Sequence, residues 1–375
     1  GTTLIGYVGT ATNIAIPNTI KTINQYAFYG CSSLEGITFA DTTTWYYTDN
    51  ATNLSNMFDG CSSLSKVKFN NMDSYNLTNM TGAFQNCTNL NSIDLNYLCT
   101  DNVTNMSKLF KGCTKLKGIK LIGLNTSKVT DMSSMLDGCT ELSFASMPFD
   151  TKSLTNMSFM FNNCQKMSEI DLSHLNLSNV TKMNACFQHC ESLTSIDLST
   201  LNTEKVDDMS FLFSFCKKLK SVKLDNLETK NVYNMMAMFQ KCSNLLSLDL
   251  TSFDFHNTTN MENMFSNCTS LLELDLSNFN LQKVNYFSIK ETVYNMASLV
   301  VNFIEERNLN IDKTTKVAII GDGFIGNLLA TLIPSKIVSV FGDEPLTIAD
   351  ICCGSGAFLV TAMSKMFKGL MLKLI

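Results

Sequence analysis

Fourteen cysteines and three histidines stand in a chain of 375 residues, enough for a disulfide framework or a row of metal sites. Ten of the cysteines fall on a grid: Cys31, Cys61, Cys87, Cys113, Cys139, Cys164, Cys190, Cys216, Cys242 and Cys268. After a first gap of 30 residues the spacing is 26, except for 25 between Cys139 and Cys164. Pairs such as Gly60-Cys61 lack the C-x-x-C spacing of zinc ligands. The densest cluster is Cys186-Phe187-Gln188-His189-Cys190, yet Cys186 stands where other repeats carry Met or Leu. One cysteine per repeat, flanked by Phe and Leu, behaves as a small buried apolar side chain. No metal site is expected, and His174 and His256 have no identifiable companion.

A second kind of chemistry lies towards the C-terminus. Lys316–Ile320 reads as an apolar strand, followed by Gly321-Asp322-Gly323-Phe324-Ile325-Gly326 opening a helix through Leu332. A second strand, Ile337–Phe341, precedes Asp343, which stands about where a ribose-binding acid would sit. This resembles the dinucleotide fingerprint, in which Gly321, Gly323 and Gly326 let backbone amides approach a pyrophosphate. A third strand, Thr347–Ile351, leads into Cys352-Cys353-Gly354-Ser355-Gly356-Ala357-Phe358-Leu359. Asp350 through Leu359 resembles motif I of S-adenosylmethionine-dependent N6-adenine methyltransferases. The resemblance implies that Asp350, Gly354 and Gly356 lie against that cofactor. Ile351 departs from the family's Asp-Pro, and no Asn/Asp-Pro-Pro-Tyr/Phe motif follows before Ile375.

The elements that carry these residues follow from periodicity. Seven, four and three residues before the grid cysteine stand apolar side chains, for example Met209, Leu212 and Phe213 before Cys216. Those offsets describe one face of a short helix. Asn79, Asn105, Asp131, Asn156, Asp208, Asn234 and Asn260 precede that turn and suit an N-cap. Gly60, Asn86, Gly112, Gly138, Asn163 and Asn267 precede the cysteine and tolerate a left-handed ending. After the cysteine the period becomes two, as in Leu193, Ile196 and Leu198, which marks a short strand with one buried face. Each unit is therefore read as strand, loop, short helix and turn. Such units cannot bury their apolar faces alone, but stacking gives them a continuous core.

The units Leu-Asp-Leu-Ser-Asn-Phe-Asn at 274–280 and Asn-Met-Glu-Asn-Met-Phe-Ser-Asn-Cys-Thr-Ser-Leu at 260–271 resemble the repeat of BspA-like leucine-rich-repeat surface proteins. Ile16-Pro17-Asn18 through Leu34 resembles the shorter repeat of the same family. Leu201 and Phe253 depart from the common leucine-rich consensus, which has Asn or Cys there. The resemblance implies a cell-surface or secreted protein that binds other proteins or host matrix, with no catalytic residues.

The fold expected is an α/β leucine-rich-repeat-like solenoid of about ten turns, a parallel sheet with short helices, followed by a partial Rossmann-like βαβ fragment. Residues 1–46 form the short N-terminal repeats and 47–285 the 26-residue repeats. A capping or linking helix occupies 286–312, and the truncated Rossmann-like fragment 313–375. No cofactor is expected for the solenoid. S-adenosylmethionine or a dinucleotide is the candidate for the C-terminal fragment.

The solvent-facing strand position, seven residues after the cysteine, reads Lys68, Asp94, Lys120, Ser146, Asp171, Asp197, Lys223, Asp249 and Asp275. Lys68, Asp94 and Lys120 should form a complementary ladder. Asp171–Asp197 and Asp249–Asp275 set like charges side by side. One reading is a solvated face softened by Lys223. The other is an acidic surface for a cation or a basic partner.

Composition narrows the classes further. The net charge is −5 and Arg307 is the only arginine, so the repeats lack the arginine expected of a nucleic-acid binder. A hydrophobic fraction of 45% argues for a packed core. No 18-residue apolar run could span a membrane, and no secretory signal is visible. The chain opens at Gly1 rather than Met, so an upstream segment and a cytoplasmic location both stay open. The dense Asn-x-Ser/Thr sequons arise from the repeat's turn chemistry. Glycans there would crowd the turns, which favours a bacterial or non-secreted setting. Oligomeric state is not legible.

Overall fold

The computed structural model describes residues 3–17, 19–20, 22–39, 53–69, 74–96, 98–117, 124–146, 149–271, 273–274, 320–322, 351–354 and 357–360. In chain order the strands are β1 Thr3–Leu4, β2 Asn13–Ile16, β3 Thr22–Ile23, β4 Gly36–Phe39, β5 Lys66–Lys68, β6 Phe144–Ser146 and β7 Glu169–Asp171. They continue with β8 Ser195–Asp197, β9 Ser221–Lys223, β10 Ser247–Leu248, β11 Glu273–Leu274, β12 Ile320–Asp322, β13 Ile351–Gly354 and β14 Ala357–Val360.

From β1 to β11 every strand pairing is parallel. The register equals the repeat length: Ser195 meets Ser221 and Ser247 meets Glu273, both 26 residues apart. Phe144 meets Glu169, 25 apart, in the one coil that is a residue short. Each coil of the chain therefore lies directly on the next, as a leucine-rich-repeat-type solenoid requires. Strand side chains alternate as predicted: in β8 Ser195 and Asp197 are exposed and Ile196 is buried.

The segment before each cysteine is not the predicted helix, and no helix occurs among the described residues. Residues five and one before the cysteine have positive φ, as at Asn56 and Gly60, Lys108 and Gly112, or Phe211 and Phe215. The left-handed residue just before the cysteine agrees with expectation. A second one four residues earlier breaks any helix, because an α-helix needs right-handed φ throughout.

Hydrogen bonding shows what replaces it. Alternate amides donate to the next coil: Leu54 N–H to Asn79 O (2.9 Å), Asn56 to Thr81 (2.8 Å), Phe58 to Ala83 (2.9 Å) and Gly60 to Gln85 (2.9 Å). The amides between them close tight turns, Met57 N–H to Leu54 O at 3.1 Å and Asp59 N–H to Asn56 O at 3.2 Å. Offsets of −7, −4 and −3 thus come from a turn ladder that happens to share the helical spacing. The expected N-caps are Asx turns instead: Asn79 Oδ1 accepts the Thr81 N–H at 2.9 Å and Asp208 Oδ1 the Ser210 N–H at 2.9 Å. The same residues form parallel bridges from Asn53 to Asn260.

The core runs the length of the stack. Phe28, Phe58, Phe84 and Phe110 stack coil on coil with centroids 5.3–5.6 Å apart. Leu136 interrupts the column, and Phe161, Phe187, Phe213, Phe239 and Phe265 resume it. Burying each such ring contributes about 1.5–3 kcal/mol.

The described C-terminal strands contradict the parallel βαβ arrangement. β12 and β13 both pair with β14, antiparallel, and Gly354 faces Ala357 across a two-residue connection. Two apolar runs separated by a glycine-containing link close most cheaply as a local hairpin. Gly321 lies inside β12 rather than in a phosphate loop. The expected helices at 289–307 and through Leu332, and the strand Ile337–Phe341, lie outside the described residues.

Candidate functional site

The grid cysteines are core groups with a defined task. Cys61 Sγ lies 3.0 Å from Phe28 O, Cys190 Sγ 3.2 Å from Phe161 O, and Cys268 Sγ 3.0 Å from Phe239 O. Each thiol donates to the carbonyl three residues before the preceding cysteine, which sequence spacing gave no reason to expect. Burial pushes these thiols up, to about 12 at Cys61, Cys113 and Cys268, so they remain protonated donors. Cys186 is also buried, while His189 turns away to stack on Phe215 at 4.2 Å. Among the described residues no three His, Cys, Asp or Glu side chains are placed to hold a metal ion.

A second internal row was missed by the sequence reading. Thr100, Thr126, Thr151, Thr203 and Thr229 are buried, and each hydroxyl donates to a carbonyl of the next coil, for example Thr203 to Glu228 O at 2.9 Å. Threonine recurring at the repeat period, six residues after positions such as Asp197 and Lys223, is the signal in the sequence.

The strand face is the surface left open by this construction. Asp171, Asp197 and Asp249 are exposed, as predicted from alternation. Each is fixed by an Asx turn: Ser173, Ser199 and Thr251 each donate a backbone N–H at 2.9 Å. The Ser199 hydroxyl and then the Lys223 ammonium hold the Asp197 carboxyl down, to about 2. Hydrogen bonds from the Thr251 hydroxyl and N–H lower Asp249, and those from Ser173 lower Asp171. All three stay ionised at neutral pH. Lys223 Nζ lies 2.9 Å from Asp197 Oδ2, so the softening by Lys223 is a direct ion pair. Asp94 accepts the Asn96 N–H at 2.9 Å, and no ion pair joins it to Lys68. Lys120 and Asp275 lie outside the described residues. Complementary rungs do occur elsewhere, at Lys166–Glu141 (2.7 Å), Lys217–Glu191 (2.9 Å) and Lys230–Glu204 (2.8 Å).

The cofactor candidates are not brought together as a loop. Gly321 and Gly354 stand in strands, while Gly323, Gly326, Asp343, Asp350 and Gly356 lie outside the described residues. No helix among the described residues is long and apolar enough to cross a membrane.

Comparison with known proteins gives the following. The family model described as "Mycoplasma protein of unknown function, DUF285" matches residues 23–141, 119–219 and 187–302. The chain is similar to a Treponema pallidum leucine-rich-repeat protein, with 20% identity and a TM-score of 0.36 over 51% of this chain and 82% of that one. A leucine-rich cell surface protein of Faecalibacterium prausnitzii gives 18%, 0.37, 69% and 77% in the same order. A leucine-rich-repeat protein of Bacteroides ovatus gives 16%, 0.33, 74% and 90%. No curated protein matches the chain.

Proposed function

We propose that this chain, which belongs to the family described as Mycoplasma protein of unknown function, DUF285, works as an interaction module that presents its strand face to a protein partner. One observation carries the reading. Repeated turns hold a column of ionised side chains at fixed positions on an open parallel sheet. Ordering charged groups before binding lowers the entropy lost on association. An acidic half containing Asp171, Asp197 and Asp249, continued in the sequence by Asp275, suits a partner with a basic surface. The reading places the protein at the cell surface and assigns it no catalytic step. The S-adenosylmethionine or dinucleotide site at 321–356 is the rival proposal.

The test is binding of the immobilised chain to a panel of extracellular matrix proteins. Asp171→Lys with Asp249→Lys should weaken binding about tenfold or more, as expected when charges at a complementary surface are reversed. Unchanged binding by that variant would sink the strand-face reading.

A further inference from the structure

We infer that the strand face is also a self-association surface, on which two copies of this chain meet with their stacks running in opposite directions. The inference rests on the strand-face reading and supplies a partner for it. A twofold axis parallel to the strands, midway between the coils of β6 and β7, reverses the exposed column seven residues after each cysteine. It brings position 146 onto position 171, which are already register neighbours within one chain. Two coils further out it brings Asp94 onto Lys223, and three coils out Lys68 onto Asp249. Both charged pairs are opposite in sign, and all four side chains are exposed.

The match is specific to this axis. Moving it onto the coil of Ser146 sets Lys68 on Lys223 and Asp94 on Asp197. Moving it onto the coil of Asp171 sets Asp94 on Asp249. Under the chosen axis the columns four and five residues after the cysteine meet without like charges: Lys117 faces Thr194, Asn91 faces Lys220 and Lys66 faces Ser247.

Other features suit the same contact. Phe144 is 50% exposed in the coil beside the axis, so two copies bring their rings within about one coil spacing, ~4.8 Å along the stack. Asp94 and Asp249 are each held by an Asx turn through Oδ1. The Lys223 ammonium carries three donors, so it can keep Asp197 and still reach Asp94 of the second copy. The outer pairs lie seven coil spacings apart, about 34 Å, which makes an extended contact of few charges and a salt-sensitive dimer.

Sedimentation equilibrium of the full chain at about 50 mM and about 500 mM salt tests this, because the Debye length varies roughly as the inverse square root of ionic strength. A dimer is expected at the lower salt, dissociating at the higher. Lys68→Asp and Asp249→Lys, each alone, put like charges into both copies of the pair and should weaken the dimer about tenfold or more. Their equimolar mixture restores opposite charges and should recover the wild-type constant. A monomer at every concentration, a dimer indifferent to both substitutions, or a mixture no stronger than either variant would overturn the inference. Matrix binding on the same samples separates the two readings. A monomer whose matrix binding still falls with Asp171→Lys and Asp249→Lys overturns self-association alone.

Discussion

Asp207→Thr should stabilise the protein at neutral pH and lose that advantage in acid. Nine residues before the grid cysteines the chain carries threonine, except for Asp207 and Tyr233, and such hydroxyls donate to the coil before: Thr104 to Thr78 O (3.3 Å), Thr130 to Thr104 O (3.2 Å) and Thr155 to Thr130 O (2.9 Å). Asp207 occupies the same position in its coil, and its N–H reaches Thr181 O at 2.9 Å. Its carboxylate has nothing to donate, and Oδ1 is buried without a hydrogen-bond partner. Burial raises the Asp207 pKa, the neighbouring Asp208 raises it further, and Lys182 offsets part of this. A buried unsatisfied oxygen costs about 1–3 kcal/mol and the restored hydrogen bond contributes about 0.5–1.5 kcal/mol. Asp207 is partly exposed, so a combined gain of about 1–2 kcal/mol is expected. That corresponds to about 1–3 °C in Tm for a chain of this size. The pH dependence has a definite sign. A carboxyl with a raised folded-state pKa favours folding fully below its unfolded value, and that contribution is lost as pH rises through the folded one. The difference in Tm between variant and wild type should therefore be large at pH 7 and shrink below about pH 4. Thermal melts by circular dichroism at both pH values decide it. Equal Tm at pH 7, or a gain that does not shrink in acid, would refute the ladder reasoning.

Other outcomes follow from the same geometry. Cys87, Cys139, Cys190 and Cys242, raised well above the ordinary thiol range by burial, should stay unreactive to a thiol-titrating disulfide in the native protein and react once denaturant is added. Rapid titration of all of them in the native state would show that the stack is open. Phe187→Ala removes a ring stacked at 5.6 Å on both Phe161 and Phe213 and should cost about 3–5 kcal/mol, read as a drop in the denaturant midpoint. Gly138→Ala should cost about 1 kcal/mol, because φ is +79° and the added Cβ would lie 3.5 Å from Gly112 Cα. Isothermal titration with S-adenosylmethionine should give no heat, whereas micromolar binding would promote the C-terminal residues 321–356 to the functional site.

Much of the solenoid was legible because its core obeys one period. The cysteine grid, the buried Met and Phe columns and the strand alternation all reappear where spacing put them. The helix was misread because side-chain spacing does not reveal where backbone amides donate. Leu54, Met57 and Phe58 show one face in a helix and in a turn ladder alike. The better signal was conformational: Gly or Asn stands five residues before the cysteine at Asn56, Gly82 and Asn263, a position where a helix has no use for a left-handed residue. Exposure of Asp171, Asp197 and Asp249 was readable from alternation, but their Asx turns depended on the residue two places on. The parallel C-terminal fragment was argued from glycine motifs, and short apolar runs flanking a two-residue link carry as much hairpin signal as loop signal.

The most direct measurement compares two charge reversals in one binding assay against the matrix-protein panel. One variant carries Asp171→Lys and Asp249→Lys on the strand face; the other carries Lys108→Asp and Lys241→Asp on the turn wall. Loss of binding confined to the first is the predicted result. Loss confined to the second, with the first binding as wild type, would contradict an interaction surface on the strands.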